Sequence, residues 1–159
     1  MLKQHVPAAP RIVERPPQRM AVVETVGDPD EVGARAVGAL YGAIAQLGLK
    51  SGPLCARWPN ASTATRSQWI ARWALPVPDH TPELGNGIVL ETWYGRPTAE
   101  IVHVGSFGDD EIATVKRLHR FIRDCGYQID GPPEEEYLTQ PGVEPKRTAI
   151  RFQIRQLPH

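Results

Sequence analysis

The sequence predicts an α+β fold built from two tandem strand–helix–strand–strand (βαββ) repeats related by a pseudo-twofold axis. Two segments have the apolar spacing of amphipathic helices, and strand-like segments flank both of them in the same order. The two halves of the chain also match each other at a constant offset, which indicates an internal duplication. We therefore expect an antiparallel sheet that carries both helices on one face and leaves a central ligand cleft between the repeats.

The first repeat begins with a mostly apolar strand at residues 20–26, and residues 11–13 are a further candidate for a short strand. A helix follows, because Asp28 can accept the free amide protons of a first turn and Pro29 fits the first helical position. Its apolar residues recur at helical spacing until Gly48, which can end the helix in a left-handed conformation. Two more strands are expected, at residues 54–58 and 67–77.

The second repeat has the same order of elements. Residues 99–104 are expected to form a strand, residues 108–111 open a helix, and Gly126 ends it. The segment at 148–156 alternates strictly between apolar and polar residues, as a half-buried strand does. The remaining expected segments are a linker at 76–87, an added strand of the second repeat at 88–93 and a short strand at 134–138.

The duplication is visible at an offset of 79 residues, which superposes Val22 on Ile101 and Trp58 on Tyr137. Aligned apolar pairs often arise by chance, whereas a shared order of cap, helix, glycine, Gly-Pro pair and two strands is more specific. The predicted organisation is a disordered tail at 1–10 and one domain at 11–159, with repeat one at about 11–78 and repeat two at about 84–158.

The composition narrows the class of function. With 18 Lys and Arg against 18 Asp and Glu, the chain of 159 residues has no net charge, so no overall basic field attracts nucleic acid. No apolar run reaches the roughly 18 residues of a membrane span. The five histidines and two cysteines show no metal-ligand spacing. We therefore expect no metal and no cofactor, in a cytoplasmic protein with reduced thiols.

Residues 131–138 carry the strongest functional signal. Strand alternation puts Glu135 and Tyr137 on one face. An acidic run is usually a solvated edge, and that interpretation stays open here. The alternative follows from the duplication, in which Tyr137 takes the place of Trp58 while Glu135 takes the place of Ala56. A cleft with one aromatic residue from each repeat and a single carboxylate suits a flat organic cation.

The other aromatic candidates are tryptophans on predicted strands and a tyrosine on the first helix. A tryptophan on a strand is more often a core residue than a ligand platform, and both roles stay open for each of them. Neither a nucleophile elbow nor a phosphate-binding Gly-rich loop accompanies them. The candidate ligand-binding residues are Glu135, Tyr137, Trp58, Trp73, Trp93, Trp69 and Tyr41.

Several segments resemble the GyrI-like family, which comprises gyrase-inhibitory proteins and the effector-binding domains of multidrug regulators. The resemblance covers roughly residues 11–157. The segments that show it are Arg-Ile-Val-Glu-Arg-Pro at 11–16, Val-His-Val-Gly at 102–105, and Glu-Glu-Tyr-Leu at 135–138 followed by Pro141. The resemblance implies a curved sheet with a central cavity, in which an acidic residue faces lipophilic, often cationic ligands. Carried over by position, that acid is Glu135 and its neighbour on the same face is Tyr137.

The resemblance leaves three functions open. The first is the binding or sequestration of amphipathic aromatic or cationic small molecules. The second is hydrolysis of strained, cyclopropane-bearing electrophiles, with Glu135 as the catalytic acid or base. The third is binding of a protein partner, as the name of the gyrase-inhibitory proteins suggests. Since only ten residues precede Arg11, we expect no helix-turn-helix segment. The charge balance and the lack of a long apolar run predict no direct nucleic-acid contact and no membrane association, and exposed edge strands would permit a monomer or a homodimer.

Overall fold

The computed structural model describes residues 9–158 except Tyr94, so most of the predicted tail at 1–10 lies outside the described residues. The described residues form nine strands and two α-helices. The helices are α1 (Pro29–Gln46) and α2 (Asp109–Asp124). The strands are β1 (Arg11–Glu14), β2 (Gln18–Val26), β3 (Cys55–Arg57), β4 (Ile70–Pro76), β5 (Val89–Trp93), β6 (Pro97–Val104), β7 (Tyr127–Ile129), β8 (Glu134–Tyr137) and β9 (Arg147–Gln156).

Eight strands form one curled antiparallel sheet in the order β1-β6-β9-β8-β3-β4-β2-β5, and β7 pairs with the end of β9 beyond β8. This strand order is symmetric: the order read from the β1 edge matches the order read from the β5 edge, with each strand matched to its counterpart in the other repeat. β3 and β8 meet at the centre, where Ala56 is the register partner of Glu135. Because these two residues also correspond in the duplication, the pseudo-twofold axis passes between them. The predicted fold class is confirmed.

The edge strand of each repeat crosses to the other repeat. β1 pairs with β6 of repeat two, and β5 pairs with β2 of repeat one. The sequence predicts residues 88–93 as an added strand of the second repeat, whereas β5 lies against the first. β1 and β5 thus occupy equivalent positions at the two edges. Because each pairs with a strand of the other repeat, they link the two halves of the sheet.

Local capping fixes the ends of both helices. The Asp30 amide donates to Asp28 Oδ1 at 2.9 Å, and Pro29 stands in the first turn of α1. Gly48 and Gly126 follow α1 and α2 with φ of +67° and +82°, the left-handed conformation that glycine adopts without strain. In the part of the chain that the structure describes, neither helix is long and apolar enough to cross a membrane.

The two helices pack on the same face of the sheet but over different strands. α1 covers β2 and β4, where Leu40 and Ile44 are fully buried. α2 covers β6 and β7, where Leu118 and Ile122 are buried in the same way. Each such side chain contributes about 1.5–3 kcal/mol through removal of its apolar surface from water. The central strands β3 and β8 lie between the helices, so their helix-side residues form the floor of a cleft.

Two local features differ from the expectation. The predicted strand at 67–77 begins at Ile70, because Arg66–Gln68 form a 3₁₀ turn that Asn60 closes. The Asn60 side chain accepts from the Ile70 amide at 2.7 Å and donates to the Gln68 carbonyl at 3.1 Å. The strand β7 was not predicted, since its three residues give too short a pattern to recognise.

Gly95 lies against the backbone that follows β1, where a Cβ atom would come within 1.7 Å of the Arg15 carbonyl oxygen. We expect Gly95→Ala to lower the free energy of unfolding by about 1–3 kcal/mol, because backbone must move to admit the methyl group. Gly38→Ala in α1 is the control, since nothing lies within 4 Å of a Cβ there. Its higher helix propensity predicts a gain of about 0.5–1 kcal/mol. Urea unfolding measures both changes, and effects of the same sign would contradict this packing.

Candidate functional site

Strand β8 distributes three consecutive glutamates over the two faces of the sheet. Glu135 points to the helix side, as do its register partners Ala56 of β3 and Ile150 of β9, which are core residues under the helices. Glu134 and Glu136 point to the opposite side. Glu135 therefore lies on the floor of the cleft between α1 and α2.

The Glu135 carboxyl is in an environment that disfavours its charge. Burial is the main cause that raises the pKa of Glu135 to about 8, and the charge of Glu111 on the first turn of α2 raises it further. The two carboxyl groups lie within hydrogen-bonding reach of each other. Because adjacent like charges resist joint ionisation, the pair holds a proton at neutral pH.

Trp58 lies beside Glu135 with an unused hydrogen-bond donor. Its side chain is 9% exposed, and its indole N–H makes no hydrogen bond of good geometry with any described residue. The indole N–H of Trp58 is nevertheless close enough to the Glu135 carboxyl to lower its pKa, against the larger effects that raise it. A buried N–H without a hydrogen bond destabilises the fold by about 1–3 kcal/mol. A ligand or side chain that offers an acceptor at this position would therefore bind favourably.

Trp58 belongs to a cluster of three tryptophans on the helix side of repeat one. Its ring meets Trp73 edge-on with centroids 5.4 Å apart and meets Trp69 at 5.9 Å. The Trp73 N–H donates to the Thr25 hydroxyl at 2.9 Å, and the Trp69 N–H donates to the Ala64 carbonyl at 3.1 Å. Trp73 and Trp69 are thus satisfied packing partners that hold the ring of Trp58 next to Glu135.

Tyr137 and Phe107 close the cleft beside the start of α2. Their rings meet at nearly right angles with centroids 6.3 Å apart, and Phe107 is half-exposed. Burial raises the pKa of the Tyr137 hydroxyl, and the charges of Glu135 and then Glu111 raise it further. Tyr137 therefore shares one environment with the two carboxyl groups.

An open groove with a volume of about 330 Å³, at the lower end of the range for ligand pockets, runs along α2 and begins at Glu111. The His119 ring packs edge-on against Phe152 with centroids 5.0 Å apart, and burial, then the charge of Arg123, lowers the pKa of His119. The neutral imidazole is thereby favoured. The groove is lined by Glu111, Ile112, Val115, Lys116 and His119.

Tyr41 lies on the flank of α1 that faces β3 and is 38% exposed. Burial, and then the nearby Cys55 thiol of β3, raises the pKa of its hydroxyl. The other flank of α1 borders a second groove with no aromatic side chain in its lining, which consists of Ala39, Gly42, Ala43, Gln46, Leu47, Glu83, Leu84 and Asn86. Only the Tyr41 flank therefore adjoins the aromatic cleft.

The opposite face of the sheet carries a buried ion-pair network. Glu134 accepts from Arg15 at 2.7 Å and from Arg57 at 2.9 Å. Glu135 and Glu111, in contrast, have no ion-pair partner among the described residues. The further pairs on the opposite face are Arg11 with Glu100, Arg151 with Glu100 at 2.7 Å and Arg151 with Glu136 at 3.2 Å.

The structure does not bring Trp93 to the cleft, which corrects the expectation for this residue. β5 pairs with β2 in a register that places Trp93 opposite Gln18, on the face that points away from the helices. There the Arg57 guanidinium lies 3.6 Å from the centroid of the indole ring, and the indole N–H donates to Glu91 at 2.9 Å. Trp93 therefore belongs to the ion-pair network instead.

The predicted set lacks Glu111 and Phe107, which lie beside Glu135 and Tyr137, and it lacks the other residues of the α2 groove. The sequence context of Glu111 suggests only an acid that complements the helix dipole. The usable signal is its spacing, because Glu111 precedes Val115 and Leu118 by four and seven residues and so lies on the apolar stripe of α2. An acid on such a stripe indicates a carboxyl that turns toward the sheet.

The arrangement offers a negative charge, an exchangeable proton, an unused N–H donor and several aromatic faces in one cleft. Within residues 9–93 and 95–158, no three His, Cys, Asp or Glu side chains cluster as metal ligands do. The charge, the proton, the donor and the aromatic faces are the groups that organic ligand binding and proton transfer use.

The raised pKa of Glu135 means that folding favours its protonated form. The stability that it contributes is present below its ordinary pKa of 4.5 and is lost as the pH rises through about 8. Glu135→Gln stays neutral at every pH. We therefore expect the unfolding free energy of the variant to rise relative to wild type by about 2–4 kcal/mol between pH 4.5 and pH 8.5.

Urea unfolding at a series of pH values measures this difference. Glu31→Gln, at an exposed acid in the first turn of α1, is the matched control and gives no such trend. A difference for Glu135→Gln that stayed constant with pH would show a carboxyl facing bulk water.

Comparison with known structures shows the same fold in proteins of different activity. The chain is similar to a hydrolase encoded by lin2189 from Listeria innocua, with a TM-score of 0.78 and 20% identity over 96% of this chain and 95% of that chain. It is similar to EcmrR in its complex with DNA, with a TM-score of 0.77 and 14% identity over 98% of this chain and 60% of that chain. It is also similar to SAV2435 bound to tetraphenylphosphonium, with a TM-score of 0.55 and 10% identity over 92% of this chain and 94% of that chain.

At these identities the structural likeness shows a shared fold alone. No functionally curated protein matched the sequence significantly. The family model of the GyrI-like small molecule binding domain matches residues 8–155, and the chain belongs to this family.

Proposed function

We propose that the protein binds lipophilic aromatic cations in the cleft between α1 and α2, with Glu135 as the counter-charge. The observation that carries this proposal is the Glu135 carboxyl, which lies on an aromatic floor without an ion-pair partner among the described residues. The acids of the opposite face, by comparison, are matched with arginines. Among these carboxyl groups of the described sheet, Glu135 is thus the one that is left open to a cation.

The energetics favour a cation that is large and apolar. An ionised carboxylate in a desolvated site costs several kcal/mol unless a positive charge or a proton accompanies it. A small hydrated cation would have to give up its water, whereas a lipophilic cation gains from burial of its apolar surface. Contacts with the faces of Trp58 and Tyr137 would add about 0.5–1 kcal/mol each, and about 2 kcal/mol where water is excluded.

The structural likeness to SAV2435 supports this class of ligand. That protein has the same fold and is bound to tetraphenylphosphonium, a lipophilic aromatic cation. Membership of a small-molecule-binding family supports the cleft as the place of binding.

Tetraphenylphosphonium is expected to quench the tryptophan fluorescence of this protein, since Trp58 borders the site. Glu135→Gln should weaken binding by at least about tenfold, because the counter-charge is lost. Trp58→Phe should weaken it by about three- to tenfold, because a smaller ring without an N–H replaces the indole. Fluorescence titration at pH 8 measures the three dissociation constants.

Trp93→Phe is the matched control for the aromatic wall. Its ring is as buried as that of Trp58 but lies on the opposite face, so its affinity should stay within about twofold of wild type. Equal affinity of wild type and Glu135→Gln would contradict the proposed site.

A second candidate function is hydrolysis of a strained electrophile, and the raised pKa of Glu135 favours it. A carboxyl that is protonated at neutral pH can act as a general acid. The oxygen of a water molecule would form a bond to the strained carbon, and the C–C bond at that carbon would break. The other carbon of the broken bond would keep the electron pair and take the proton from Glu135. The proton lost by the attacking water would then return to the carboxyl. The hydrolase that shares this fold supports the reaction class.

The two functions predict opposite dependence on pH. Turnover of a neutral, cyclopropane-bearing electrophile needs protonated Glu135, so it should be full below pH 8 and fall above it. Glu135→Gln should lose more than about 99% of turnover and keep its dissociation constant within about threefold, because a neutral ligand does not need the charge. Chromatography of the product checks this. Saturable binding with no product over hours would exclude the hydrolase.

A further inference from the structure

Glu111 and Glu135 form a pair of acids that no arginine or lysine neutralises within the described residues. Glu111 stands on the first turn of α2 and reaches Glu135 on the cleft floor. The buried acids of the opposite face are in a different situation, because Glu134 and Glu100 each accept from at least two arginines. Among the described residues, the two partly buried carboxyl groups of this helix-side pair thus meet each other without an arginine or lysine as ion-pair partner.

The groups that surround the pair do not supply the missing charge. Burial favours the neutral form of His119, and the hydroxyl groups of Tyr137 and Tyr41 are neutral. Lys116 lines the same groove without reaching either carboxyl as an ion pair. On the far side of the sheet, Arg57 pairs with Glu134 and Arg151 pairs with Glu100 and Glu136.

A second observation points to a ligand at this place. Trp58 is more than nine-tenths buried, and its N–H faces the pair without a hydrogen bond of good geometry. An ionised Glu135 that turned toward Trp58 would accept this hydrogen bond. The indole N–H of Trp58 can thus stabilise the ionised form of the pair when a positive charge enters the cleft and balances the carboxylate.

We propose that Glu111 and Glu135 share one proton and that a lipophilic cation enters the cleft in exchange for that proton. The inference rests on the proposed function of the site and adds Glu111 as its second acid. The proton leaves to solvent as the cation arrives, so the charge inside the cleft is unchanged. Binding is therefore a proton–cation exchange.

This exchange fixes the dependence of affinity on pH. Below about pH 8 the cation must displace the proton, so the affinity rises by up to about tenfold for each pH unit. Above that pH the proton is already absent, and the affinity becomes constant. Without Glu111, a lone carboxyl next to Trp58 holds its proton less tightly, so less proton is released on binding.

Titration calorimetry with tetraphenylphosphonium at pH 7 tests the exchange, because this cation carries no titratable proton of its own. The heat of binding in buffers of different ionisation enthalpy gives the number of protons released. Wild type should release close to one proton per cation, and Glu111→Gln should release fewer. Glu31→Gln, at the exposed acid in the first turn of α1, is the matched control and should match wild type.

The outcomes separate this inference from the proposed function. Binding without proton release, or equal release by wild type and Glu111→Gln, would overturn the exchange and leave cation binding in place. Absence of binding to wild type at both pH 7 and pH 9 would overturn both. Because Glu111 is on the partly exposed first turn of α2, its replacement by glutamine leaves the fold intact, which urea unfolding verifies.

Discussion

The alternation of side chains along β8 is the constraint on which the site depends. Three glutamates follow one another on this strand, and the pleat sends the middle one into the cleft and the outer two into a network of arginines. A shift of one residue in register would reverse the arrangement and place two carboxyl groups on the aromatic floor. The buried salt bridges of Glu134 thus hold the register that exposes Glu135 to the cleft. The charged residues on the face opposite the helices therefore have a structural role.

The position of Glu135 on the pseudo-twofold axis explains how a duplicated fold acquires a single site. Ala56 is both the counterpart of Glu135 in the duplication and its neighbour across the axis. The two repeats therefore contribute related walls, Trp58 from one and Tyr137 from the other, around one acid that breaks the symmetry. The helices stay apart because each packs on the outer strands of its own repeat, which leaves the floor at the axis open.

Much of this architecture could be predicted from the sequence, because its signals are local. The cap at Asp28, the glycines at 48 and 126 and the strict alternation at 148–156 each act over a few residues. The partners of the edge strands could not be predicted in this way, since pairing over long distances leaves little local trace. The orientation of Trp93 was missed for the same reason, because it depends on the register of β5 against β2. Glu111 was missed because the dipole of α2 gave a sufficient reason for an acid at that position.

The site depends on Glu135 as a largely desolvated acid that is coupled to a second acid, Glu111. The most direct measurement is an NMR titration of the Glu135 carboxyl carbon in the protein without ligand, assigned by comparison with Glu135→Gln. We expect a midpoint near pH 8. A midpoint near the ordinary value of 4.5, as for a carboxyl in bulk water, would contradict it.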